Sequence, residues 1–181
     1  MTLAVGGLSV TAATAAAAPT QGFALTAGVF ASYTPEAQAI TYDPTKVPLG
    51  SGVVVISVPD SSTGGTTILL AVTGLLPNHQ YGAHAHKNPC GSKPENAGSH
   101  YQNVPDPIQP SVDPAYANSG NEIWLDFITD SDGDGIALTT VPWQFTDRHA
   151  HSVVIHAEHT MAKPGNAGKA GARLACVDVD F

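Results

Sequence analysis

After residue 50 the chain alternates short apolar runs with clusters of Gly, Pro, Asp, Ser and Asn. Residues 52–58 form a β-branched run and residues 66–73 a second. The Pro-Asp-Ser-Ser-Thr-Gly-Gly between them is turn chemistry, so the pair predicts a hairpin. Turn residues at 74–78 lead into a strand over 80–86, and further apolar stretches predict strands over 122–129, 136–145, 152–157 and 173–179. Upstream, 28–33 and 39–42 are weaker candidates parted by a Thr-Pro turn, and 43–50 reads as a connector with two prolines. This pattern predicts about eight strands, no helix longer than a turn or two, and no internal repeat. Such a chain is all-β, an antiparallel barrel or sandwich. The stretch 87–121 carries six prolines and no periodicity. A structureless loop of that length is uncommon inside a compact domain and is usually functional.

Composition narrows the picture. A chain of 181 residues can bury one sizeable core. Charged residues make up only 12%, against 18 Gly and 14 Pro, which favours strands and turns. The formal charge of −8 argues against nucleic acid as a partner. It leaves room for a small anionic substrate, because a local positive patch can draw one in. Residues 1–18 are apolar, alanine-rich and uncharged, and Ala15-Ala16-Ala17-Ala18-Pro19 offers small residues of the kind cleaved by signal peptidases. The expected organisation is therefore a secretory signal over 1–20, an extension with the first strands over 21–49, and a β domain over 50–181. The basic residues that open such signals are missing, so the true start is expected upstream of Met1. The segment is too short and alanine-rich for a membrane span. The expected location is outside the cytoplasm, secreted or in the cell envelope. In an exported chain the pair Cys90 and Cys176 predicts one disulfide, two unrelated buried thiols being the alternative.

The chemistry concentrates in histidines. His84 and His86 are two apart on a predicted strand, so both imidazoles point to one face and can chelate one metal ion. Imidazole suits copper, zinc, iron and nickel. A solvated pair with no metal would satisfy the same spacing. His151 and His156 are five apart, face opposite sides, and only one can join that site. His149 and His151 form a second pair beside Arg148, for which a surface role is expected. His79 and His159 fall in a turn and a loop and receive no role. Residues 130–135, Asp-Ser-Asp-Gly-Asp-Gly, resemble the start of a calcium loop, but strands flank them and Val141 stands where the last carboxylate ligand belongs. A plain turn is expected there.

Taken together, several segments carry a resemblance. Tyr81-Gly82-Ala83-His84-Ala85-His86, Cys90, Ala97-Gly98-Ser99-His100-Tyr101, Ser152-Val153-Val154-Ile155-His156, and the run from Gly165 to Cys176 with Arg173 three residues before the cysteine stand in this order. Over residues 50–181 the chain resembles the copper/zinc superoxide dismutases. Ala85 is smaller than the family's customary residue, and Lys169 stands where Gly, Asn, His or Asp is usual. The resemblance implies an eight-stranded antiparallel Greek-key β-barrel with long loops. It implies copper held by His84, His86, His100 and His156, and a Cys90–Cys176 disulfide tying the long loop to the last strand. Arg173 would guide the superoxide anion, and His100 would take a proton when copper is reduced. The reaction implied is disproportionation of superoxide to dioxygen and hydrogen peroxide.

The zinc half of the family's site is not matched. No histidine stands between His100 and Glu122, and the candidates there are Asp106, Asp113, Glu122 and Asp126. Carboxylates alone are poor zinc donors beside nitrogen and sulfur. The loop 157–172 is short, with Thr160 near the place of the family's linking aspartate. The closest likeness is therefore to the zinc-less, copper-only secreted branch, with zinc not expected. Glu122 or Asp126 is expected to orient His100 by a hydrogen bond, a water-facing carboxylate being the alternative reading of each. A copper-binding or buffering protein without catalysis, on the same barrel, is the competing function.

Overall fold

A computed structural model describes residues 22–181, so the expected signal segment lies outside the described residues. Among the described residues nine strands form, in chain order. They are β1 (Ala24–Val29), β2 (Ala39–Thr41), β3 (Gly52–Asp60), β4 (Gly65–Thr73), β5 (Gln80–His86), β6 (Phe127–Ile128), β7 (Gly135–Val141), β8 (Ser152–His156) and β9 (Arg173–Asp178). A single 3-10 turn, Pro94–Ala97, is the only helical element among the described residues. The strands make two antiparallel sheets, one ordered β1-β3-β4-β7 and the other β2-β9-β8-β5-β6. Among the described residues no ladder joins the two sheets into a closed barrel.

The hairpin β3–β4 pairs Gly52 with Thr73 through to Asp60 with Gly65, closed by the Ser/Thr/Gly turn that the sequence predicts. Three of the expected strands differ from the structure by more than two residues at a boundary. The first strand sits at Ala24–Val29 rather than 28–33, because Ala24 and Phe30 are the positions that reach the core. The strand expected over 136–145 stops at Val141, since Pro142 has no N–H to continue the ladder. Over 122–129 only Phe127 and Ile128 are strand; upstream, Glu122 and Trp124 make isolated bridges to Gln102 and His84. The segment still runs antiparallel beside β5, with Leu125 N–H on the Ala83 carbonyl at 2.7 Å and Ala85 N–H on the Ile123 carbonyl at 3.3 Å, but its ladder is interrupted there.

Between the sheets lies the core, with Val53, Val55, Ile68 and Leu70 from one side and Ala83, Val153, Ile155 and Val177 from the other. Burying each large aliphatic side chain contributes roughly 1.5–3 kcal/mol against leaving it in water. Every residue of β8 is buried, because the outer face of the five-stranded sheet is also covered. Its cover is the long loop after β5 and the loop before β9. Gly82 shows how close that cover lies: a Cβ there would sit 2.5 Å from the Glu158 carbonyl oxygen and 2.7 Å from the Ala170 Cβ. A disulfide joins Cys90 to Cys176 across 86 residues and pins the long loop to β9. Tyr42 adds to that anchor by donating its hydroxyl to the Gly91 carbonyl at 2.9 Å.

Candidate metal centre

Strand geometry assembles the site from two neighbours. Gly82, His84 and His86 alternate onto the outer face of β5, and the antiparallel register sets His84 opposite Val154 and Gly82 opposite His156. His156 thus shares the face of His84 and His86, while His151 lies before β8 with an exposed side chain. The returning loop brings His100 back to bridge with His86. One ring nitrogen from each of His84, His86, His100 and His156 lies within 4.8 Å of all the others.

The second nitrogen of each ring is already engaged. His86 donates Nδ1–H to the Gly98 carbonyl at 3.0 Å, and His156 donates Nδ1–H to the Gly171 carbonyl at 3.4 Å. Both partners are carbonyls and can only accept, so each ring keeps a lone pair on Nε2. Those two Nε2 atoms are 3.4 Å apart, lone pair toward lone pair. The His84 tautomer follows from a relay. Thr160 gives its hydroxyl proton to the Asp126 carboxylate at 2.6 Å, so its oxygen receives Nε2–H of His84, also at 2.6 Å. That leaves His84 Nδ1 unprotonated and buried, with no hydrogen-bond partner. An orphaned buried acceptor and two facing lone pairs are costly unless a cation sits between them. The residues fit a transition-metal ion, and a donor set of four imidazoles suits copper, zinc, iron or nickel.

His100 is held differently. Its Nδ1 donates to Glu122 at 2.8 Å, and the same carboxylate accepts Trp124 Nε1–H at 2.7 Å and Gln102 Nε2–H at 2.8 Å. Glu122 is buried, so three donors replace the water it lost. Of the two carboxylates considered for orienting His100, Glu122 does so; Asp126 instead serves His84 through Thr160. Asp106 and Asp113 brace the loop: Asp106 accepts from Ile108 N–H and the Ser111 hydroxyl, Asp113 from Ala115 N–H.

Burial and neighbouring charge keep His84, His86 and His156 neutral. Desolvation first, and then His100 and the other histidines, hold His84 and His86 well below the usual imidazole range. Desolvation first, and then His100, push His156 down to about 3. Arg173 lies beside this group, because a bulge between Ile155 and His156 brings it opposite His156. Its guanidinium donates to the Pro94 carbonyl at 2.8 Å and the Gly98 carbonyl at 2.6 Å. Burial draws its pKa below the usual arginine value. Arg173, His100, Glu122 and Lys169 line an open cavity of about 510 Å³.

Elsewhere, His149 and His151 border a separate cavity of about 330 Å³ with Lys87 and Arg148. His159 sits 3.8 Å from Asp126, outside the cluster. The calcium-like stretch is a turn, in which Asp130 accepts the N–H groups of Asp132 and Asp134. Sequence reasoning missed Trp124 and Gln102. For Trp124 a signal existed: Glu122, Trp124 and Asp126 alternate with the buried Ile123, Leu125 and Phe127. Gln102 had none, since the carboxylate it meets, Glu122, stands twenty residues on. Comparison of the chain with protein-family models and with curated proteins finds no match.

Proposed function

We propose that this chain is a copper-dependent superoxide dismutase of the copper-only branch, acting outside the cytoplasm, and that its two sheets are that family's Greek-key barrel. The carrying observation is the convergence of four imidazoles on one point beside a half-buried arginine at an open cavity. Neighbours distant in sequence, β4 with β7 and β5 with β8, support the Greek-key reading. Copper is preferred over zinc because dismutation needs a one-electron couple, which zinc lacks.

His84, His86, His100 and His156 would hold the ion. Copper bound there would supply one-electron chemistry, oxidising one superoxide to dioxygen and reducing a second that takes two protons to become hydrogen peroxide. The protein's own residues do the rest. Glu122 orients His100 and occupies Nδ1, the nitrogen a second metal would need, which supports a site without zinc. We assign the proton to His100, on Nε2 when that nitrogen does not hold the ion, since Nδ1 stays with Glu122 and the side chain is 18% exposed while His84 is fully buried. Arg173 supplies fixed positive charge toward a small anion in a chain of net charge −8.

The test is copper reconstitution of the purified chain followed by a superoxide decay assay, with and without zinc. Copper alone should confer full turnover, with no gain and no near-equimolar uptake on adding zinc. A copper-loaded chain without turnover would leave the non-catalytic copper-binding reading. Arg173→Ala separates the two further: turnover should fall about tenfold or more, with copper content unchanged. Equal turnover in wild type and variant would count against the enzyme.

A further inference from the structure

The cavity of about 330 Å³ shares no lining residue with the one beside His100; its walls are Lys87, Tyr101, Asp147, Arg148, His149 and His151. Two of the chain's seven Lys and Arg and two of its eight His meet here, in a protein of net charge −8. Among the described residues no Lys or Arg forms a salt bridge, and the three histidine–carboxylate pairs involve His84, His100 and His159. Asp147 therefore lines the cavity without pairing with any of its cations. Two of the charges are also fixed in place. Arg148 donates from Nη2 to the Asn103 carbonyl at 2.8 Å and from Nη1 and Nη2 to the Gln102 carbonyl at 3.3 Å, and its guanidinium lies 5.3 Å from the centre of the Tyr101 ring. Tyr101 in turn donates its hydroxyl to the Arg148 carbonyl at 3.0 Å. These partners are neutral, so they hold the cation without cancelling it. The His149 ring stacks on Phe145 between two main-chain oxygens, Phe181 at 2.6 Å from Nδ1 and Thr146 at 3.0 Å from Nε2. Such oxygens only accept, and a ring that donates to both carries a proton on each nitrogen and with it a positive charge. Lys87 and His151 bond through their main-chain N–H groups, to Ser99 and His86, and keep their side chains open to a ligand. Asp178, whose charge reaches His151, is engaged by the Cys90 N–H at 2.6 Å.

We propose that this cavity binds a phosphate-class dianion, inorganic phosphate or the phosphate group of a small organic monoester. Charge selects a dianion: Lys87, Arg148 and His149 supply three positive charges against the one negative charge of Asp147, a surplus of two. Donor chemistry selects a tetrahedral oxyanion. Its several oxygens accept at once from the Lys87 ammonium, the His151 ring and the N–H groups of the Arg148 fork that the loop carbonyls leave over. A neutral ligand would leave the surplus charge uncompensated. A transition metal is disfavoured because both nitrogens of His149 are engaged, which leaves His151 as a lone imidazole. The volume stands at the small end of the range of ligand pockets, about 300–1,000 Å³, room for a phosphate with a short organic group.

Isothermal titration calorimetry on the full chain tests this, with inorganic phosphate and glycerol 2-phosphate as probes and chloride holding the ionic strength near about 0.15 M. The expected result is saturable one-site binding with a Kd of about 1 mM or tighter, within the ceiling for so small a ligand. Tighter binding of the ester assigns the cavity to a monoester, and equal or weaker binding assigns it to the free ion. Lys87→Gln combined with His151→Gln should weaken binding about tenfold or more at an unchanged melting temperature, since neither side chain holds another residue. Should the double variant melt early, each single substitution gives the same reading by a smaller loss. Lys169→Gln, in the cavity beside His100, should leave the affinity intact. Saturable binding of neither probe, binding that survives loss of both Lys87 and His151, or binding that Lys169→Gln abolishes overturns the proposal. Each readout is independent of copper and turnover, so its failure is distinct from failure of the dismutase reading.

Discussion

At the scale of single residues, tautomers decide what the site can hold. Thr160 has one hydroxyl proton, and giving it to Asp126 forces His84 to donate from Nε2 and turn an empty Nδ1 toward the other rings. Thr160→Val keeps the shape and removes the relay. Copper affinity, measured by competition with a chelator, should fall about 10- to 100-fold, and unchanged affinity would deny Thr160 that role. The same rings set a pH dependence in the metal-free protein. His84, His86 and His156 resist protonation when folded, His156 down to about 3, while the unfolded chain takes up protons below about 6.5. Stability is therefore full above pH 6.5 and falls as the pH drops from there toward 3. Each histidine costs about 1.4 kcal/mol per pH unit. Thermal melts of the metal-free chain should show a steep drop between pH 6.5 and 5, and a flat profile would refute the neutral cluster.

At the scale of elements, the site depends on a long loop held against a sheet. The loop supplies His100, Gln102 and the carbonyls that Arg173 grips, yet its regular secondary structure is one 3-10 turn and isolated bridges. The Cys90–Cys176 link closes 86 residues, worth about 4–5 kcal/mol in the chain-entropy account of cross-links. The double substitution Cys90→Ser, Cys176→Ser should lower unfolding free energy by roughly that amount in denaturant titrations, and Arg173 should lose its grip on the loop with it. A loss below about 1 kcal/mol would mean the reduced chain keeps the loop in place by other contacts. Sequence periodicity found most strands to within a few residues because inward positions alternate so regularly. Over 122–129 the expected strand does run beside β5, but with a broken ladder, and its alternate positions supply Glu122, Trp124 and Asp126.

Across the whole molecule, few cations serve many anions. Of the seven Lys and Arg in the chain, Lys169 and Arg173 line the cavity beside His100. If they draw an anion against the global charge, the superoxide rate constant of the copper-loaded chain should fall as ionic strength rises toward about 0.15 M, where screening acts over about 8 Å. A rate that rises with salt would mean that the net charge of −8 outweighs the local patch. The two sheets also divide the labour: one carries the site under its loops, the other leaves an aliphatic face bare.

By itself the sequence determined the all-β class, the hairpin β3–β4, the shared face of His84 and His86 and the disulfide partners, because each follows from local spacing, turn chemistry or the parity of two cysteines. Spacing alone left His151 and His156 open, and the family resemblance named His156; the register of β5 with β8 then set His156 on the face of His84 and His86. The tertiary structure alone assigned Glu122 to His100 and Asp126 to Thr160, and left one sheet face uncovered. Those outcomes turn on strand register and on where a long loop returns. Both are set by packing between segments far apart in the chain, which no local pattern encodes.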